Sequence, residues 1–162
     1  MIVIGYQGIG KSTISHASKG NFIDLESGNF WVDGKRDPEW FKPYCQIALH
    51  LHKQGYVVFT SSHEVVRNYF HEIAGEDEAF IYVCYPAPDL KDDWIAKLQL
   101  RYHRTGKDKD YKALMNAKDR YTENIHELAY SGFNVIEIND IQYDLKSLLE
   151  AACIHVDYAD ED

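Results

Sequence analysis

The chain has little that would tie it to a membrane, a disulfide scaffold or a zinc site. None of its 162 residues belongs to an apolar run approaching the ~20 residues that span a bilayer. An apolar strand at Ile2 leads straight into a glycine-rich turn, which leaves no secretory leader in view and gives a cytoplasmic expectation with no membrane partner. Cysteine is scarce: Cys45, Cys84 and Cys153 are odd in number, far apart and set in apolar or helical stretches. They read as free thiols used as small core residues. No Cys/His cluster has metal-ligand spacing, and of the scattered histidines only His63 stands beside other polar candidates. Positive charge is also short. With 17 basic against 26 acidic side chains, the net charge is −9, which disfavours DNA or RNA as a partner. Local cations can still hold a small phosphorylated ligand. Part of the negative charge lies in the acidic tail at 157–162, read as a solvated end.

What is present is a 45% apolar chain with no repeat and no linker, read as one domain over 1–162. Ile2–Ile4 predicts a short buried strand, and Lys11 to Lys19 a helix stopped by Gly20. Asn21–Asp24 is a second strand, followed by a polar loop rich in aromatics. Asp37-Pro38 predicts the start of a helix running to about Gln54, with the acid as N-cap. Tyr56–Thr60 reads as a buried strand, His63–Ala74 as a helix, and Ala79–Cys84 as a fourth strand closed by Pro86 and Pro88. A helix from Asp89 to about Arg104 leads through the charged loop 105–110 into a second helix ending at Tyr130. Asn134–Ile138 is the last strand, and Tyr143 to Ala152 the last helix. This alternation predicts an α/β fold: a mostly parallel five-stranded sheet with helices on both faces and ligands at the strands' carboxyl ends.

Gly5-Tyr6-Gln7-Gly8-Ile9-Gly10-Lys11-Ser12 satisfies G-x-x-x-x-G-K-[ST] between an apolar strand and a helix. In such a P-loop, glycines let successive N–H groups turn toward phosphate oxygens, and the helix N-terminus adds to the field. Gly8, Ile9, Gly10, Lys11, Ser12 and Thr13 are therefore expected to hold ATP, with Lys11 on the β- and γ-phosphates and Ser12 on Mg²⁺. Thr13 either supports the α-phosphate end or caps the turn. The motif says what is bound and leaves open what is done with it.

Beyond this loop, the sequence resembles the shikimate/gluconate-kinase and nucleoside-monophosphate-kinase group of P-loop kinases. Phe22-Ile23-Asp24-Leu25-Glu26 is similar to their F-x-D-x-D segment. The resemblance implies Asp24 near magnesium and Glu26 facing the acceptor as orienting group or base. The other reading is two surface carboxylates in a turn. Val58 to Arg67 is similar to the gluconate-kinase segment in which a strand leads to small polar residues and an arginine-bearing helix. That implies Ser61, Ser62 and Arg67 at the acceptor, though the serines can equally cap the next helix. A third likeness is an arginine-bearing lid at about 97–120: Lys97, Arg101 and Arg104 share one helix face, Gly106 is the expected hinge, and Arg120 is a further candidate cation. The same stretch reads otherwise as a solvated basic face.

The resemblance implies a three-layer P-loop fold and a Mg-ATP-dependent phosphotransferase. The acceptor motifs of shikimate, adenylate and thymidylate kinases are absent, so the acceptor is expected from its walls: Phe30, Trp31, Arg36 and Tyr44, whose rings favour a nucleoside or deoxynucleoside monophosphate. The alternatives are a nucleotide-binding switch or ATPase module with little turnover, and then a polynucleotide or sugar-acid kinase. A monomer or a homodimer fits equally.

Overall fold

The computed structural model describes residues 1–17 and 21–160, with side chains as far as Cys153. The expected helix stop at Gly20 and the side chains of the acidic tail lie outside the described residues. Five parallel strands form the sheet: β1 (Ile2–Gly5), β2 (Phe22–Asp24), and, numbered after a small hairpin made of β3 (Trp31–Val32) and β4 (Lys35–Arg36), β5 (Val57–Thr60), β6 (Ile81–Pro86) and β7 (Asn134–Ile138). Their order across the sheet is β2-β5-β1-β6-β7. β1 is therefore central and wholly buried, pairing Ile2 with Val58 on one side and with Ile81 on the other. A strand buried on both faces reads as a continuous apolar run, which is why Ile2-Val3-Ile4 lacks alternation.

Between the strands lie α1 (Lys11–Ala17), α2 (Phe41–Lys53), α3 (Glu64–Ile73), and the antiparallel pair α4 (Lys91–Thr105) and α5 (Asp108–Ala129). The last helix, α6 (Leu145–Asp160), follows β7. The crossover from β1 to β2 runs one way across the sheet, and those from β2, β5 and β6 run the other. Right-handed connections then put α1 on one face and α2, α3 and the α4–α5 pair on the opposite one. Because chain leaves β1 and β5 in opposite directions, a crevice opens at their carboxyl ends.

The order of elements along the chain matches expectation better than the boundaries do. Asp37-Pro38 does not begin a helix: the Asp37 carboxylate accepts from Glu39 N at 2.7 Å in a separate turn, and α2 starts at Phe41. The expected loop at 31–36 is a hairpin. Asp33 and Gly34 both take left-handed φ values, 52° and 72°, which a two-residue turn between antiparallel strands needs. β6 begins at Ile81, since Ala79 lies in a 3₁₀ turn, and Pro86 ends the strand in register with Ile138. Gly106, expected as a hinge, is the left-handed cap of α4 (φ 63°), its N–H donating to Tyr102 O at 2.8 Å. No helix among the described residues is long and apolar enough to cross a membrane.

Candidate functional site

The loop after β1 is held from three sides. Tyr6 N donates to Cys84 O at 2.9 Å, the Trp94 indole N–H to Gln7 O at 2.9 Å, and the Tyr143 hydroxyl to Ile9 O at 2.6 Å. Gly8 and Gly10 have φ of 89° and 105°, which L side chains rarely adopt. A Cβ on Gly8 would also meet Leu98 Cδ2 at 2.9 Å, so the loop lies tight under α4. With its carbonyls taken by Trp94 and Tyr143, the loop keeps its amides free. Among the described residues no N–H from Gln7 to Thr13 donates a hydrogen bond, while Ile14 N closes the first helical bond onto Gly10 O at 3.1 Å. A curled run of unpaired N–H groups at a helix start is a ready anion site.

Lys11 folds back over this loop, its ammonium donating to Gly5 O at 3.3 Å. Burial pushes its pKa down, opposed by the nearby carboxylates of Asp24 and Glu26. Asp24 ends β2 beside Glu26. Burial raises its pKa, Lys11 pulls it down, and Glu26 pushes it up again. The two carboxylates thus stand together next to one cation.

Three cavities meet around the loop. The largest, about 1170 Å³, runs from Gly8, Gly10 and Ser12 to the inner face of α4 and to residues 141–146. Six cations line it (Lys97, Arg101, Arg104, Lys107, Lys109, Lys146) against four carboxylates. The second, about 620 Å³, holds Lys11, Ser12, Asp24, Glu26, Trp31, Arg36, Ser61 and His63, with five cations against three carboxylates. Gly8, Gly10, Ser12, Glu26 and Arg101 line both. In a chain of net charge −9, both spaces on the loop carry local positive excess. The third, about 370 Å³, lies between α3 and α5 and opens on Lys11, Ser61 and His63.

Most of the candidates converge here. Gly8, Ile9, Gly10, Ser12 and Thr13 line the largest cavity, and Asp24, Glu26, Arg36, Ser61 and Arg101 line the 620 Å³ space. Arg36 is clamped between indoles, its guanidinium carbon 4.8 Å from the Trp31 ring centre and 3.9 Å from that of Trp40. Neither serine caps α3, whose N-cap is His63; Ser61 Oγ instead pairs with His63 Nδ1 at 2.8 Å. Arg67 is no surface residue: its side chain is 11% exposed, donates to Ser62 O at 3.1 Å and faces Glu127 at 3.5 Å. Ser62 and Arg67 line the 370 Å³ cavity.

Four candidates are placed otherwise than expected. Tyr44 is fully buried, its hydroxyl donating to Leu25 O at 2.6 Å and accepting from Ser61 N at 2.8 Å. It is a strut joining the ends of β2 and β5. Phe30 packs edge-on against Tyr44 at 5.5 Å and lines none of the three cavities. Arg120 turns away, pairing with Glu123 at 2.9 Å where α5 kinks. Lys97 reaches the cavity but is tied down, donating to the Tyr143 hydroxyl at 2.7 Å and lying over the Trp94 ring. Burial, then Arg101, lowers its pKa to about 8.

The arginine-bearing hairpin is anchored rather than loose. Arg101 Nε bonds Asp110 Oδ1 at 3.0 Å, Asp110 is 4% exposed, and Thr105 donates to its other oxygen. Arg104 remains exposed at the cavity wall. Sequence reasoning missed Trp94 and Tyr143, which shape the loop. Trp94, Leu98 and Arg101 at i, i+4 and i+7 form a single stripe, the one sequence signal that α4 covers the loop. No family model, curated protein or solved structure matches the chain.

Proposed function

We propose that this chain is a P-loop kinase that moves the γ-phosphate of ATP to a small phosphorylated acceptor, a nucleoside or deoxynucleoside monophosphate. One observation carries the reading. Two positively biased cavities meet over a loop whose amides from Gln7 to Thr13 have no partner among the described residues, and they share Gly8, Gly10 and Ser12. A donor in the larger space and an acceptor in the 620 Å³ one would meet over Gly8, Gly10 and Ser12, with Lys11 on the acceptor side of that boundary.

In this reading the free amides from Gly8 to Thr13 cradle the donor phosphates. The Lys11 ammonium leaves the Gly5 carbonyl for the β- and γ-phosphates, and anionic oxygens offset the burial that disfavours its charge. Arg101 and Arg104 stabilise charge from the α4 side, while Arg36 holds the acceptor's phosphate from the hairpin side. Glu26, lining both spaces, orients the acceptor. The Ser12 hydroxyl with the Asp24 and Glu26 carboxylates is a hard-oxygen set in a half-buried place, and it fits Mg²⁺. Held by these oxygens, Mg²⁺ would supply positive charge against the phosphates. Catalysis is then positioning plus electrostatics, with no covalent step on the protein.

The test is ADP release from Mg·ATP against ribo- and deoxynucleoside monophosphates, nucleosides and sugar acids, with Lys11→Ala as control. Stimulation by monophosphates, lost in the control, supports the kinase. Tight ATP binding with no stimulation by any acceptor moves the reading to a nucleotide-responsive switch, which the Arg101–Asp110 anchor of the hairpin would suit.

A further inference from the structure

The 370 Å³ cavity between α3 and α5 differs in chemistry from the two charged spaces. Its cations, Lys11 and Arg67, are matched by Glu64 and Glu127, and Arg67 is already engaged by Glu127 and Ser62 O. What distinguishes it is a fixed set of carboxamides. Gln7 Nε2 donates to Ala113 O at 3.1 Å, and a carbonyl can only accept, so the Gln7 amide has one orientation. The same nitrogen donates to Asn116 Oδ1 at 3.0 Å, and Asn124 Nδ2 donates to that oxygen at 2.7 Å. The orientation of all three amides follows from one backbone carbonyl. Left without partners among the described residues are the Asn116 amino group and the carbonyl oxygens of Gln7 and Asn124. Beneath them Tyr6, which also lines the cavity, is 2% exposed; its buried hydroxyl lies beside the Gln7 and Asn124 amides but makes no well-formed hydrogen bond among the described residues. Orphaned buried hydroxyls are rare in native structures and ask for a ligand or a role.

We propose that this cavity is the recognition subsite for the acceptor's nucleobase, read through the unpaired amide atoms of Gln7, Asn116 and Asn124. The proposal rests on the phosphotransferase reading and assigns the part of the acceptor that this reading leaves open. A phosphate or carboxylate is disfavoured, because the cavity's cations are balanced and its free groups include acceptors. Polyol hydroxyls rotate to suit any partner. A locked pattern of donor and acceptors instead rewards a planar edge of fixed pattern. The cavity shares Gln7, Lys11, Ser61, His63 and Asn116 with the 620 Å³ space, so one molecule can span both. Its phosphate would lie toward Arg36 and Lys11, its base under α5.

The experiment titrates the full chain, with Mg·ADP present to fill the donor space, with each ribo- and deoxynucleoside monophosphate, with ribose 5-phosphate and with gluconate. At least one monophosphate should bind tenfold or more tighter than ribose 5-phosphate, which lacks the base. Asn124→Leu should erase that advantage and leave ribose 5-phosphate binding unchanged. Tyr6→Phe should reduce the advantage too, without lowering the melting temperature; a hydroxyl that is merely a packing defect would leave affinity untouched. Ribose 5-phosphate or gluconate binding as well as every nucleotide, or both variants retaining the base advantage, would overturn the assignment. Failure of Mg·ADP and Mg·ATP to bind the wild type tells against the kinase reading instead. It is read separately, in titrations without an acceptor.

Discussion

The two flanks of the Gly5–Ser12 loop are built on different principles. On the α4 side aromatic donors, Trp94 and Tyr143, hold the loop's carbonyls, and a surplus of lysine and arginine faces the cavity. On the α5 side the partners are carboxamides, the charges cancel, and a tyrosine hydroxyl is left over. A flank that gathers charge suits a polyanion whatever else it carries, whereas a flank with fixed neutral hydrogen-bonding groups discriminates by shape. Under the proposed function this is a division of labour, phosphate being gripped on one side and identity read on the other.

The sharpest way to break that division is at the loop itself. Lys11→Ala should lower ATP-dependent turnover by about 10²–10³-fold, the scale of removing one preorganised electrostatic contact, as steady-state ADP release will show. Gly8→Ala comes next. A side chain at φ 89° that also meets Leu98 at 2.9 Å should cost about 1–3 kcal/mol of stability by denaturant unfolding and abolish ATP binding. Trp94→Phe loses the bond to Gln7 O and leaves a small cavity where the buried indole was, so about 1–3 kcal/mol should be lost, with ATP affinity falling roughly fivefold in calorimetry.

Proton uptake gives a subtler contrast. Burial holds Lys97 at about 8 in the fold against an ordinary 10.5, so between those values the unfolded chain keeps a proton that the folded chain lacks. Stability should therefore rise with pH across that window, and Lys97→Met should flatten the rise in thermal melts. A polyphosphate facing Lys97 restores its charged form. ATP binding near the top of that range should then take up protons, visible as a dependence of binding enthalpy on buffer.

Much of this was legible in residues. β1 and the glycine loop announce themselves because a buried central strand must be apolar and a tightly curled loop needs glycine where φ is positive. Asp24, Glu26 and Arg101 were named through the resemblance to the kinase group, and the fold brings all three to the same cavity beside the loop. The acceptor side was harder. Aromatic rings look the same in a sequence whether they face a ligand or the core; Tyr44 and Phe30 went inward and Trp31, 53% exposed, stayed out. The Asp33-Gly34 turn carried a hairpin signal that a polar, aromatic-rich stretch obscured. Asn116 and Asn124 were invisible because a carboxamide on a long helix means nothing until Gln7, 109 residues from Asn116, comes within hydrogen-bond reach.

The most direct test follows the labelled γ-phosphate of ATP in the presence of Mg²⁺ and each nucleoside monophosphate. Transfer of label to a nucleotide product, abolished by Lys11→Ala, is the expected result. Label found only in inorganic phosphate, or left in ATP despite tight binding, would contradict phosphoryl transfer and leave a nucleotide-binding module.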